Sequence, residues 1–244
     1  TEHLVNYGYS SVLNESIFQR SSDDEIILCL NYNGLYGINN INRFLQNNNP
    51  SKGVRWGLWT YKVGDPILFN DSQRFSPVLF NNLKGKIVDI ELEKNGDRIW
   101  FSIEIDKVIS EFDIEDVALE LLNPDESGKS VIKFYVNKSK DSDEDNDTEI
   151  DTIVPFQIAY AVSIHKAQGL EYESVKVVIT EDIDEMITHN IFYTAITRAR
   201  NTLRIYWSPE SQQRVISRFE KMDARNDANI FSGHSGLKLL NKNI

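Results

Sequence analysis

Two stretches of mixed helix and strand texture lie on either side of a long run of short strands, and this arrangement restricts the possible folds most. The first stretch begins with the unbroken apolar run Ile26-Ile27-Leu28-Cys29-Leu30, which has the length and character of a strand buried on both faces. Ile38, Ile41, Phe44 and Leu45 follow at spacings of three and four, a helical period, until Asn47-Asn48-Asn49-Pro50 ends it; proline disfavours helix in the residue before it. The texture returns with a strand within Ala159 to Ser163 and a strand at Val175-Lys176-Val177-Val178-Ile179. A helix from Thr188 to Arg198 and the strand Leu203-Arg204-Ile205-Tyr206-Trp207 come next. Ser208 then reads as the N-cap of a last helix, with Pro209 at its first position.

Between these stretches the period changes to two. Pro66-Ile67-Leu68-Phe69, Gly85 to Leu92, Arg98 to Ile105 and Val131 to Val136 read as strands. Asn95-Gly96 is a hairpin signal, since both residue types tolerate positive φ. The expected architecture is one α/β domain with a parallel sheet, interrupted by an inserted small β-barrel. No internal repeat is visible.

Composition narrows the class. Hydrophobic residues make up 41% and charged residues 26%, an ordinary soluble balance. No apolar run approaches the roughly 18–20 residues that span a bilayer, and Thr1-Glu2-His3-Leu4 lacks the basic start and apolar core of a signal peptide. A single cysteine, Cys29, excludes an intrachain disulfide and a multi-cysteine zinc site, and leads us to expect a reducing, cytoplasmic setting. The net charge of −11 argues against nucleic acid at first sight. The stretch Asp141 to Asp151 holds seven acids and no base, so the remainder is only mildly acidic. Net charge alone therefore leaves the partner open. The acidic stretch reads as a solvated loop and the polar tail beyond Asp223 as poorly ordered.

Two segments carry chemistry. Ala161-Val162-Ser163-Ile164-His165-Lys166-Ala167-Gln168-Gly169-Leu170-Glu171 supplies a hydroxyl, an imidazole, an ammonium, a flexible glycine and a carboxylate. Such a set can hold a phosphate backbone on one side and a sugar hydroxyl on the other. Phe192-Tyr193-Thr194-Ala195-Ile196-Thr197-Arg198-Ala199-Arg200 places Thr197, Arg198 and Arg200 near a helix C-terminus, where cations are favoured. Each segment adjoins an apolar element of an α/β sheet, and sheet ends are common ligand sites.

Ser-Ile-His-Lys-Ala-Gln-Gly-Leu-Glu resembles motif V of superfamily 1 helicases, and Tyr-Thr-Ala-Ile-Thr-Arg-Ala-Arg resembles their motif VI. Gly34 to Gln46 is similar to the region after motif IV in RecD-like helicases. Val63-Gly64-Asp65-Pro66-Ile67-Leu68 with Phe80-Asn81-Asn82-Leu83-Lys84-Gly85 resembles the start of the SH3-like barrel inserted in them. The likeness runs from about Glu25 to Trp207 and implies a RecA-like second motor domain. It divides the chain into 1–60 and 152–222 as the two parts of that domain, 61–140 as the barrel, 141–151 as the acidic loop and 223–244 as the tail.

The resemblance further implies ATP with Mg2+ as ligand in an intact helicase. Arg198 would be the γ-phosphate sensor and arginine finger. Glu171 would approach the ribose, with Gly169 allowing close backbone approach and Arg200 in support. Ser163 and His165 would face the DNA backbone or couple it to the nucleotide, with Thr197 as a supporting residue. Single-stranded DNA and an N-terminal motor domain are the implied partners; a protein partner at the barrel is left open, and no membrane is implied. One departure stands out: Asn31-Tyr32-Asn33-Gly34 lacks the second arginine that many relatives carry in motif IV, and Arg43 lies too far along to replace it.

A motor also needs a P-loop. Ser127-Gly128-Lys129-Ser130 imitates the end of one, but Asn123 occupies the first glycine position and a strand, not a helix, is expected next. Val177-Val178-Ile179-Thr180-Glu181-Asp182 imitates a Walker B strand but reads as a sheet strand running into a solvated acidic loop. The expectation is a C-terminal half of a helicase, inactive alone; the alternative is a non-catalytic nucleic-acid or protein-binding module on the same scaffold. Each site residue also has a plainer reading. Arg198 can cap helix carbonyls, His165 can be structural, Glu171 can be a surface acid and Lys166 can face solvent. Trp56, Trp59, Tyr61 and Phe69 can either stack on bases or pack a core.

Overall fold

The computed structural model describes residues 15–115, 117–122, 129–138 and 150–219. The chain folds as two compact units, one made of the segment ending at Asn31 together with the segment from Glu171 onward, the other of Tyr32–Leu170. Most of the acidic stretch, the polar tail from Asp223 and Ser127-Gly128 of the P-loop imitation lie outside the described residues.

In the first unit, strands β1 (Glu25–Cys29), β11 (Tyr172–Val178) and β12 (Ala199–Tyr206) lie parallel, with β11 between the other two. All of β1 and nearly all of β11 are buried, as strands covered on both faces require. Burial pushes the Cys29 thiol up to about 12, so it packs and does not react. The crossover from β11 to β12 runs through helix α2 (His189–Ile196), whose N-cap Thr188 accepts the Ile191 amide. A further helix, α3 (209–219), opens as expected: the Ser208 hydroxyl accepts the Ser211 amide at 3.1 Å. Phe192 of α2 stacks on Trp207 with the rings 3° from parallel, and Phe219 of α3 packs against both Phe192 and His189.

Two buried charges organise this unit. Lys176 of β11, with no exposed side-chain surface, donates to Glu25 at 2.7 Å and to the carbonyls of Gln19 (2.6 Å) and Ile17 (3.2 Å). The loop after β11 is solvated at Glu181 and Asp182 as expected, but Asp184 is turned inward and is only 1% exposed. It accepts from Ser211 (3.1 Å) and Arg214 Nε (2.7 Å), which ties α3 to this loop.

The second unit holds helix α1 (Ile38–Asn48), the hairpin β2 (Val54–Trp56) and β3 (Trp59–Tyr61), an antiparallel sheet, and the short buried strand β10 (Ala161–Ser163). The sheet is formed by β4 (Pro66–Phe69), β5 (Lys84–Leu92), β6 (Arg98–Ile105), β7 (Glu120–Leu122), β8 (Ser130–Asn137) and β9 (Phe156–Ile158), in the order β7-β8-β6-β5-β4-β9. Among the described residues no pairing joins β7 to β9. Alternate residues of β8 point into a core of Ile67, Phe69, Phe101, Phe134 and Phe156. The β5–β6 turn places Gly96 at φ +74°, where a side chain would be strained.

Asp65, fully buried, is the polar centre of this unit. It accepts from Gln46 (2.6 Å) and Asn49 (2.8 Å) at the end of α1, from the Lys62 amide (3.0 Å) and from the Tyr160 hydroxyl (2.8 Å). Asn42 on another turn of α1 exchanges two bonds with the backbone of Ala161. Both helix and β10 are thereby fastened to the antiparallel sheet.

Candidate functional site

The motif VI-like residues gather where α2 ends and β12 begins. The Arg198 guanidinium is half-buried and turned back along the helix: Nε donates to the Thr194 carbonyl at 2.9 Å and a terminal nitrogen donates to the Thr197 hydroxyl at 3.0 Å. Thr197, the C-cap, donates that hydroxyl to the Tyr193 carbonyl at 2.8 Å. Orphan carbonyls at a helix end attract a cation, so the capping geometry is the one favoured when no anion is present.

Parallel pairing brings Glu171 to the same place. The Tyr172 amide donates to the Arg198 carbonyl at 2.8 Å, and Tyr172 faces Ala199 in the register. Glu171 and Arg200 form an ion pair at 3.3 Å with side chains 61% and 57% exposed. Glu171, Thr197, Arg198 and Arg200 thus form one cluster, exposed enough to receive a ligand. It lies at the amino ends of β11 and β12, whereas the usual crevice of an open α/β sheet lies at the carboxyl ends. The cluster sits where a helix delivers its last turn to a strand.

The motif V-like residues form a tight turn in the other unit. Ser163 is turned inward; its hydroxyl accepts the Lys166 amide at 3.3 Å and its carbonyl accepts the amides of Lys166 and Ala167. Through these bonds Ser163 shapes the turn. The turn presents His165 and Gln168 to solvent. Lys166, expected to face solvent, donates to Gln157 at 2.6 Å and is partly buried. Gly169 has φ +82° and a Cβ built there would meet nothing within 4 Å, so the backbone angle and not crowding requires glycine.

The imitations of the first motor domain have other uses. Lys129 pairs with Glu104 at 2.8 Å, and Ser130 starts β8 directly with no helix following. Among the described residues no three of His, Cys, Asp and Glu come together to hold a metal ion, and no helix is long and apolar enough to cross a membrane. Arg43 bonds to Asn40 on its own helix. Of the four aromatic candidates, Tyr61 and Phe69 are core, Trp56 packs against the core and Trp59 is exposed. Sequence reasoning missed Asp65, Lys176 and Asp184. Lys176 alone carried a signal, as a charge inside an otherwise apolar strand.

Comparison with known proteins bears on the same segments. Residues 158–206 match the UvrD-like helicase C-terminal domain. The RecBCD enzyme subunit RecD of Buchnera aphidicola subsp. Acyrthosiphon pisum is 22% identical over 204 residues, 79% of this chain and 27% of that protein. The ATP-dependent RecD2 DNA helicase of Deinococcus radiodurans is 36% identical over 72 residues, 30% of this chain and 10% of its own length. The chain therefore spans about a quarter or less of these relatives. The Pif1 helicase of Candida albicans is similar in structure over 86% of this chain and 52% of its own, with a TM-score of 0.44 and 16% identity. The cluster at Arg198 and the turn at Gly169 both fall inside the segment that matches the UvrD-like helicase C-terminal domain.

Proposed function

We propose that this chain serves as the second, RecA-like motor domain of an ATP-dependent DNA helicase, interrupted over 61–140 by an inserted SH3-like barrel. ATP is held chiefly by a P-loop-bearing motor domain, together with the Mg2+ it brings, and this chain closes on the nucleotide from the other side. Arg198 meets the γ-phosphoryl group, Glu171 the ribose, and Arg200 and Gly169 support the nucleotide. His165, presented by the turn that Ser163 and Gly169 shape, faces the backbone of single-stranded DNA, with Thr197 as a supporting residue.

The observation that supports this reading best is the pairing of a half-buried arginine at the end of α2 with Glu171 and Arg200 on adjoining strand starts. The residues fit a phosphoryl group. The guanidinium donates to a carbonyl and a hydroxyl, oxygens with only partial negative charge. A phosphoryl group carries full charge and can accept two parallel bonds from one guanidinium. Exchange of the helix cap for the nucleotide is therefore favourable once closure brings the two together. Hydrolysis and product release would then reset the cap and the grip on DNA, giving translocation and strand separation.

The test is Arg198→Ala in the intact enzyme, with ATPase measured with and without single-stranded DNA. Severe loss of DNA-stimulated turnover with ATP binding largely retained supports the motor; unchanged turnover rejects the role. A second reading, a binding module on a helicase scaffold, is favoured by the missing arginine in Asn31-Tyr32-Asn33-Gly34. It predicts DNA binding without DNA-stimulated turnover in the intact protein.

A further inference from the structure

Among the described residues no ion pair includes the buried carboxylate of Asp65. Four donors from three places in the chain satisfy it instead. Oδ2 accepts from Gln46 at 2.6 Å and from the Lys62 amide at 3.0 Å, while Oδ1 accepts from Asn49 and from the Tyr160 hydroxyl, each at 2.8 Å. A charge taken out of water needs its lone pairs filled in this way. An amide in its place would offer one oxygen and turn two hydrogens toward donors. The backbone of Asp65 is fixed as well, since its carbonyl accepts the Ile87 amide of β5 at 3.0 Å.

The Tyr160 arm of this junction leads to the candidate site. Tyr160 immediately precedes β10, and the turn from Ser163 to Leu170 follows that strand. The same turn is held a second time: Lys166 Nζ donates to Gln157 at 2.6 Å, and Gln157 of β9 faces Leu68 of β4, three residues along from Asp65. The segment entering the turn and the turn itself are therefore both tied to the β4–β9 edge of the antiparallel sheet. Ile164 and Ala167 are buried beneath the turn, and His165 is left exposed. Apolar burial alone has no direction, whereas hydrogen bonds do, so the two polar ties set the place of the turn more narrowly than its buried side chains.

We propose that Asp65 and Gln157 are positioning residues for the turn that carries His165, holding it where that side chain meets its partner. This rests on the reading of His165 as a contact to single-stranded DNA, and it assigns neither Asp65 nor Gln157 a contact with strand or nucleotide.

The test has two arms. In the 244-residue chain, hydrogen exchange reads the amides of Lys166, Ala167, Gln168 and Leu170, which are bonded within the turn. Tyr160→Phe removes one donor to Asp65, and Gln157→Leu removes the acceptor of Lys166. Each should speed exchange of those amides about fivefold, the factor for one hydrogen bond, while the amides of β6 keep the wild-type rate. Gln157→Glu keeps an acceptor and should restore protection. Lys129→Met removes a bond to Glu104 on the same sheet and is the control; it should leave the turn unchanged. In the intact enzyme, Tyr160→Phe and Gln157→Leu should each raise the single-stranded DNA concentration for half-maximal ATPase about fivefold. Turnover at saturating DNA should stay within about twofold of wild type, with KM for ATP unchanged. Wild-type exchange in the turn of either variant overturns the proposal. So does an equal rise throughout the sheet, which would make Asp65 a folding residue only, and so does a DNA requirement equal to wild type. If the wild-type enzyme shows no DNA-stimulated turnover, the motor reading fails, and the exchange arm still decides whether Asp65 and Gln157 hold the turn.

Discussion

Arg198 Nε lies 2.9 Å from the carbonyl oxygen of Thr194, one helical turn back along α2. The side chain assigned to a phosphoryl group is thus used as a helix cap in this conformation, and both uses rest on one property: a planar cation seeking an oxygen with partial negative charge. The two uses differ in energy by enough to measure. Arg198→Ala should lower the stability of the isolated chain by about 1 kcal/mol, a fall of about 2–4 °C in Tm. The same change should lower kcat of the intact enzyme about a thousandfold or more. A Tm loss large enough to explain the activity loss would assign the residue to folding alone.

Glu171 and Arg200 should show the opposite balance. Their ion pair is exposed on both sides, so Arg200→Ala should leave Tm within about 1 °C of wild type, as expected for pairs worth roughly 0–1 kcal/mol. A several-fold loss of nucleotide affinity in the intact enzyme, measured by equilibrium titration, is expected from the same variant.

Glu25 sets an acid limit to stability. Burial pushes its carboxyl up, but the hydrogen bonds from Lys176, Ser21 and Ser174 and the charge of Lys176 outweigh burial and hold it below the ordinary value of 4.5. A depressed folded pKa contributes stability in full above the unfolded value, and this is lost as pH falls through the folded one. Urea midpoints should therefore hold steady above about pH 5 and drop below 4.5, and Glu25→Gln should flatten that drop. Lys176→Met leaves a buried carboxylate without its cation and should cost on the order of 3 kcal/mol. Adding Glu25→Leu should restore most of this, giving a large coupling energy in a double-mutant cycle.

Asp184 is the carboxylate that holds α3. Asp184→Ala removes the acceptor of Ser211 and Arg214 at a buried position and should destabilise the chain by on the order of 3 kcal/mol. Hydrogen exchange should show the amides of α3 losing protection before those of β11. Equal loss in both elements would mean that α3 and the sheet unfold together.

Much of the fold was legible because it rests on short-range pattern. The run at Ile26 to Leu30, the three-and-four spacing from Ile38 to Leu45, Asn95-Gly96 and Ser208-Pro209 each mark an element through local sterics and hydrogen bonding, and each element is present. Register was not legible. That Tyr172 pairs with Ala199, and so brings Glu171 beside Arg198 and Arg200, depends on a parallel pairing across a helical crossover that no local pattern encodes. Nor was the burial of Ser163, whose hydroxyl is drawn in by the turn it caps.

What the sequence determined by itself is the inventory: which long runs form strands and where helices start. What only the tertiary structure decided is exposure. Trp59 and Tyr61 lie two residues apart in one strand and on one face, yet one is 67% exposed and the other core, because the core reaches the hairpin root and stops short of its tip. Asp182 and Asp184 differ in the same way, the first solvated and the second enclosed by Ser211 and Arg214. Burial depends on residues distant in the chain, so residues two positions apart acquire different physical roles only when the fold closes around them.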